Sequence, residues 1–484
     1  MATPGIFWLT RDFRFSDNPA LTAAMSEGPL LAVFLVDGAL RAQGSASRWR
    51  LERAIRAFDV ELRRRSGTGL LVVEGEAEEV VPRILAQTGA RRIHQSDWPA
   101  PQMRAVQQRL RESLKGEGGL VLHPGHLLTH PRNIRTGAGG VYRVFTPFAR
   151  ALRSHGPDRP TAPAPERITP ARVDLPDLRI LDVDTLNLAP DMYRGRAVLD
   201  RFALPAGEAA AFARLDDFLD RVQGYADNRD RPDIDATSGL SEHLALGEIS
   251  PRSIWSIAEQ RAEGDARVCT GIAKFLSEVI WREFAWHLLI DFPQMAEQPW
   301  RAEWQDFPWR GGGADLTGWI RGDTGVALVD AGLREMQVTG RMHNRVRMVV
   351  ASWLTKHLMT DWRLGLRHFE DSLTDWDPAA NAMNWQWVAG CGPDASPFFR
   401  IFNPEKQAAQ YDPRGRYRAR WLAGWEGLAS SGGEEARAYL QSLPSDWTVP
   451  GIWRRGDEAA LERGRKRALD QYQAFRGTGS ASDD

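Results

Sequence analysis

Tryptophan gives the first chemical signal. The chain holds 19, most of them beyond residue 250, with W-x-x-x-x-W steps and the run Trp385-Gln386-Trp387. Taken singly, each is a large apolar side chain suited to a helical core. Indole is also the side chain best able to carry a transient positive hole, so a row in near contact would relay electrons; composition leaves both readings open. Glu278 and Trp281, just before Arg282, fall at i and i+3 on one helical face, where a carboxylate and an indole can reach one ligand together. Thr237-Ser238-Gly239-Leu240-Ser241 sets hydroxyls and backbone N–H groups ahead of a helical stretch, which suits phosphate oxygens or a plain N-cap. The two cysteines, Cys269 and Cys391, are too far apart for a zinc spacing and too few for a four-thiolate cluster, so no metal is expected.

Elements of two kinds must position these groups. Short apolar runs at 6–10, 30–36, 70–75 and 91–96 alternate with helical patterns such as 48–65 and 102–115, the rhythm of a parallel sheet. The first strand is followed by TRDFRF and not by G-x-G-x-x-G, so the sheet is Rossmann-like without the dinucleotide fingerprint. Prolines crowd 156–178, and after residue 205 the apolar spacing turns helical. The expected organisation is an α/β domain over 1–130, a connector over 131–200, an all-α domain over 201–475 and a disordered tail over 476–484.

At 484 residues and 43% hydrophobic, the chain is long enough for two cores. With 62 basic and 63 acidic residues, net charge does not itself point to nucleic acid, so any basic surface is local. No apolar run approaches membrane-spanning length and MATPGIFWLT is no secretory signal; a soluble, cytoplasmic, nucleoid-associated monomer without membrane contact is expected.

FWLTRDFRFSDNPAL (7–21), YADNRDRPDIDATSGLSEHLALGEISPR (225–252), FLSEVIWREFAWHLL (275–289), TGRMHNRVRMVVASWL (339–354) and NAMNWQWVAGCGPDASPFFRIFNP (381–404) together resemble the photolyase/cryptochrome family, over nearly the whole chain. The branch they most resemble is the cyclobutane pyrimidine dimer photolyases of the bacterial class I type. The resemblance implies an FAD in the helical domain. Its matching positions here are Tyr225, the run Thr237, Ser238, Gly239, Leu240 and Ser241 toward the phosphates, Arg282, and Asp375, Trp376, Asp377 and Asn381 around the isoalloxazine. It also implies a partner, ultraviolet-damaged DNA, met by Arg229, Glu278, Trp281, Asn344, Arg345, Met348, Trp387 and Gln407, with Arg400 and Lys406 nearby. Glu278 would hydrogen-bond the dimer, and Trp385, Trp362 and Trp309 would form the chain that reduces oxidised flavin, with Trp319 as an alternate terminus.

Asn381 bears on which branch. Opposite flavin N5 an amide carries no charge and tolerates the anionic reduced flavin, whereas the carboxylate of plant cryptochromes favours a protonated radical. Repair is therefore expected, with a cryptochrome-type photoreceptor as the alternative. Six-four photolyases carry histidine where Asn344 and Met348 stand, and the iron–sulfur branch needs four cysteines. Arg341, Phe275 and Gly239 depart from the family pattern and bear on FAD affinity. For a second, antenna chromophore, methenyltetrahydrofolate would use a lysine where Glu297 stands and an Asn–Glu pair where the chain reads DWPAPQ. Phe34, Asp37 and Asp97 match positions used by a deazaflavin or flavin-type antenna, which is weakly favoured, although the family lysine is Ala245.

Overall fold

The structure is a computed structural model that describes residues 2–114, 119–262, 265–427 and 432–479. It divides into two compact units, the first made of 1–190, 204–226 and 238–293, the second of 191–203, 227–237 and 294–484.

The first unit is built on a six-stranded sheet ordered β5-β4-β1-β2-β3-β6. Its strands are β1 Gly5–Trp8, β2 Leu30–Val36, β3 Leu71–Glu74, β4 Arg92–Ser96, β5 Gly119–His123 and β6 Arg179–Leu181. The first five pair in parallel and β6 runs antiparallel to β3. All seven residues of β2 are buried, as expected of a central strand covered on both faces. Gly5 is required in β1, because a Cβ there would lie 1.7 Å from the Ala24 carbonyl oxygen. The last two strands were not legible in the sequence. β6 interrupts the stretch expected to be a connector, which also contains the helix Phe145–His155.

The TRDFRF segment turns out to be a structural clamp. Arg14 is fully buried and donates to the carbonyls of Gly247 (2.9 Å) and Gly125 (2.8 Å). Asp17 accepts from the Ser250 hydroxyl (2.6 Å) and Arg252 Nε (3.0 Å). The helix Ser45–Ser66 buries Arg50 against Glu242 (2.9 Å) and Glu248 (2.6 Å), and His243 Nδ1 lies 2.5 Å from Glu248. Burial pushes the Glu248 pKa up, but Arg50 and His243 outweigh it and hold the carboxyl at about 2.

The second unit is helical among its described residues, as expected of the C-terminal part of the chain. Its final helix, Ala459–Gly479, continues past 476, where the sequence was expected to become disordered; 480–484 lie outside the described residues. The long helix Ala266–Asp291 groups with the first unit, together with Glu208–Leu219, Ser241–Leu246 and Pro251–Arg261, and not with the helices after residue 294. No described helix is long and apolar enough to cross a membrane.

Candidate active site

In the first unit the site residues are carried by the Ala266–Asp291 helix, capped by Asp265, which accepts from the Arg267 N–H at 2.7 Å. Glu278 is half-exposed, 3.6 Å from Lys274. Trp281 lies parallel to Phe145, with centroids 3.5 Å apart and planes within 2°, and meets Phe284 edge-on. Arg282 donates to Glu283 Oε1 (2.9 Å) and His126 Nε2 (2.9 Å), while the second Glu283 oxygen accepts from the Leu128 N–H (2.8 Å). Burial raises the Glu283 pKa to about 7 despite Arg282. Burial, and then Arg282, push His126 well below 6.5, so it accepts as a neutral imidazole. Tyr225 packs edge-on to Phe218 and Phe275, so Phe275, one of the departures, fills an aromatic cluster. Arg214 donates to the Ser238 carbonyl (2.8 Å), and Gly239 is needed beside it, with φ +63° and a would-be Cβ 2.6 Å from the guanidinium. Ser241 begins the short helix Ser241–Leu246 behind Leu240.

In the second unit His343 caps the helix Asn344–Ser352, which carries Asn344, Arg345 and Met348 on its first turns. Arg345 bridges to Asp230 (2.9 Å), beside Arg229, and lies over the Tyr411 ring. The departure at Arg341 is absorbed by the Phe202 carbonyl (3.1 Å). Arg347, which the sequence reading passed over, donates to both oxygens of buried Asp375 (3.0 and 2.8 Å). It sits three residues after Asn344 within TGRMHNRVRMVVASWL, so helical spacing could have found it. Trp376 is buried, and Asp377 caps the helix Pro378–Ala389, accepting from the Ala380 N–H (2.8 Å). Asn381 Nδ2 donates to the Leu366 carbonyl (3.1 Å). Only the nitrogen can donate there, so the amide orientation is fixed and Oδ1 remains as the acceptor. Trp387 is covered by the Arg400 guanidinium at 5.0 Å, and the buried Gln407 Oε1 has no partner among the described residues.

The same unit holds the tryptophans. Trp385 and Trp362 are buried and Trp309 is half-exposed. Trp385 meets Phe369 at 4.9 Å and Trp319 at 6.2 Å between centroids. Trp319 is 0% exposed and bonded to the Val350 carbonyl, so it cannot be a solvent-facing terminus as expected from the sequence. The Trp362 indole nitrogen is buried with no acceptor among the described residues. Trp385 fits only because residue 365 is glycine: a Cβ would fall 2.1 Å from its ring. Gly365→Ala is therefore expected to displace Trp385 and to cost about 1–3 kcal/mol from overpacking, read as a lower midpoint in urea.

In the first unit a cavity of about 40 Å³ that opens to solvent is bounded by Trp8, Arg11, Phe34, Asp37 and Trp98 among others. Phe34 and Asp37 both line it. Asp97 does not line it, and its carboxylate pairs with Arg104 (2.8 Å) in the first turn of the helix Pro101–Leu114. Among the described residues no His/Cys/Asp/Glu cluster suits a metal, and Cys391 is buried.

Family models match twice: DNA photolyase over residues 5–166 and the FAD binding domain of DNA photolyase over 275–438. A deoxyribodipyrimidine photo-lyase of Agrobacterium fabrum is 40% identical over 430 residues, 88% of each chain. The chain belongs to the DNA photolyase family. A solved class III photolyase from Agrobacterium tumefaciens superposes with TM-score 0.83 at 37% identity, covering 99% of this chain and 98% of that one. Its class differs from the class I type that the motifs resemble. An archaeal photolyase from Sulfolobus tokodaii, solved with two FAD molecules, gives TM-score 0.76 at 26% identity over 97% and 99% of the two chains. Both photolyases share the arrangement found here, an α/β sheet region and a helical region.

Proposed function

We propose that this photolyase reverses cyclobutane pyrimidine dimers in ultraviolet-damaged DNA, using FAD and blue light, as a monomer in the cytoplasm. The observation that carries the reading is Asn381, a neutral amide held by the Leu366 carbonyl with Oδ1 left to accept a hydrogen bond. The residues fit a flavin dinucleotide chemically. The hydroxyls of Thr237, Ser238 and Ser241 suit phosphates, and Arg282, the Arg347–Asp375 pair and Asn381 supply fixed polar groups for a planar heterocycle. Bound reduced FAD would supply an electron on illumination.

The protein's own groups place the lesion and keep water out. Photolyases as a class act on bases taken out of the stack. In the first unit Trp281 would offer an aromatic face and Glu278 a polar contact to the extruded pyrimidines; in the second, Trp387 would offer an aromatic face, Met348 an apolar wall, Asn344 a polar contact, and Arg229, Arg345, Arg400 and Gln407 the backbone contacts. Trp385, Trp362 and Trp309 serve activation: a hole passes outward from Trp385 to half-exposed Trp309, where water takes the indole proton and an external reductant returns the missing electron.

Glu278→Ala should weaken dimer binding by about 1–3 kcal/mol, the worth of one hydrogen bond to a buried or charged group, while FAD content stays at the parental level. Unchanged lesion affinity would remove Glu278 from the pocket. For the second chromophore we propose a flavin-type molecule in the space beside Phe34 and Asp37. The two FAD molecules of the Sulfolobus neighbour favour it, and mass spectrometry of chromophores released from the purified protein tests it.

A further inference from the structure

We propose that Phe145 is a positioning residue for the lesion, acting by clamping Trp281. This role presupposes Trp281 as a lesion contact. Phe145 begins the helix Phe145–His155, and its ring lies flat on Trp281 at 3.5 Å with planes 2° apart. Aromatic pairs left to themselves prefer offset or edge-on arrangements, because face-to-face quadrupoles repel. A parallel sandwich therefore persists only where the surroundings hold it, and here they do. Phe284 meets both Phe145 and Trp281 edge-on, each at 5.9 Å and 73°. Phe284 is itself fully buried and backed by Phe148 at 5.2 Å. One face of the half-exposed indole is thus covered and one edge is blocked, so a planar base would stack on the opposite face. The indole is oriented before the pyrimidines arrive, so binding does not have to freeze its rotamers. The stacking order is Phe145, Trp281, lesion.

The test uses the FAD-loaded enzyme and oligonucleotides with and without a single thymine dimer. Phe145→Ala, and Phe145→Leu, which keeps bulk but no flat ring, should each lower affinity for the dimer by about tenfold, the upper end of an aromatic pair's worth. Affinity for undamaged DNA and FAD content should match the parent, and Phe145→Tyr should restore dimer affinity. In a Trp281→Ala background, removing Phe145 should add no further loss. If Trp281→Ala loses dimer affinity while Phe145→Ala and Phe145→Leu keep it, the clamp is wrong and the lesion role of Trp281 stands. Loss of damaged and undamaged DNA binding alike also overturns it. If Trp281→Ala leaves dimer affinity intact, the assignment of Trp281 fails and the clamp with it.

Discussion

Trp385→Phe is expected to abolish light-driven reduction of oxidised FAD while leaving repair by chemically reduced enzyme intact. Phenylalanine keeps most of the volume but is far harder to oxidise, so the first step has no donor. Trp385 is wedged against Gly365 and touches Phe369 and Trp319, so a smaller ring leaves a cavity but no unpaired polar group. Stability should fall by about 1–3 kcal/mol, too little to unfold a typical domain. Two measurements separate the roles: bleaching of the oxidised flavin band under blue light with an external reductant, and dimer repair after dithionite. Photoreduction equal to the parent's would show that electrons enter elsewhere. Loss of both activities would place Trp385 in repair as well.

Asn381→Asp should stop light-driven reduction one electron short and lower dimer repair in parallel. The substitution removes the donor to the Leu366 carbonyl and sets a carboxyl oxygen against it. That carboxyl either stays charged and repels an anionic reduced flavin, or takes up a proton because burial raises its pKa. Both outcomes favour the neutral radical, whose broad red absorption should persist in the variant and vanish in the parent. If the parent itself retains that band and leaves dimers intact under blue light, repair is the wrong assignment and the photoreceptor reading replaces it.

The physical reasons for what the sequence could and could not show are local. β2 was legible because seven consecutive apolar residues, bounded by Pro29 and by Asp37-Gly38, have the length and flanks of a strand buried on both faces. β5, led by a glycine and half-buried along most of its length, carries no such run, and β6 is only three residues, just past the proline-rich stretch. Motifs fixed which side chains share a helix, as with Glu278 and Trp281. They could not reveal partners brought in by the fold: Asp97 is consumed by Arg104, Arg347 grips Asp375, and Phe145 covers an indole more than a hundred residues further along. Trp319 was misplaced for the same reason, since burial is a property of neighbours and not of composition.

The Arg50 cluster has a consequence for how the chain comes off the ribosome. Its carboxylate partners lie 192 and 198 residues downstream, and Arg14 and Asp17 wait for Gly247, Ser250 and Arg252 in the same way. At usual synthesis speeds of 5–20 residues per second, the nascent sheet spends roughly 10–40 s without them. A guanidinium buried without its carboxylates costs about 3–5 kcal/mol, so the sheet should not close early. A fragment ending near residue 190 is expected to be recovered as an aggregate or bound to chaperones. One extended to 293 contains every partner these three residues use in the first unit. For this protein the order of synthesis and the order of folding part company at the first helix of the sheet to bury a charge.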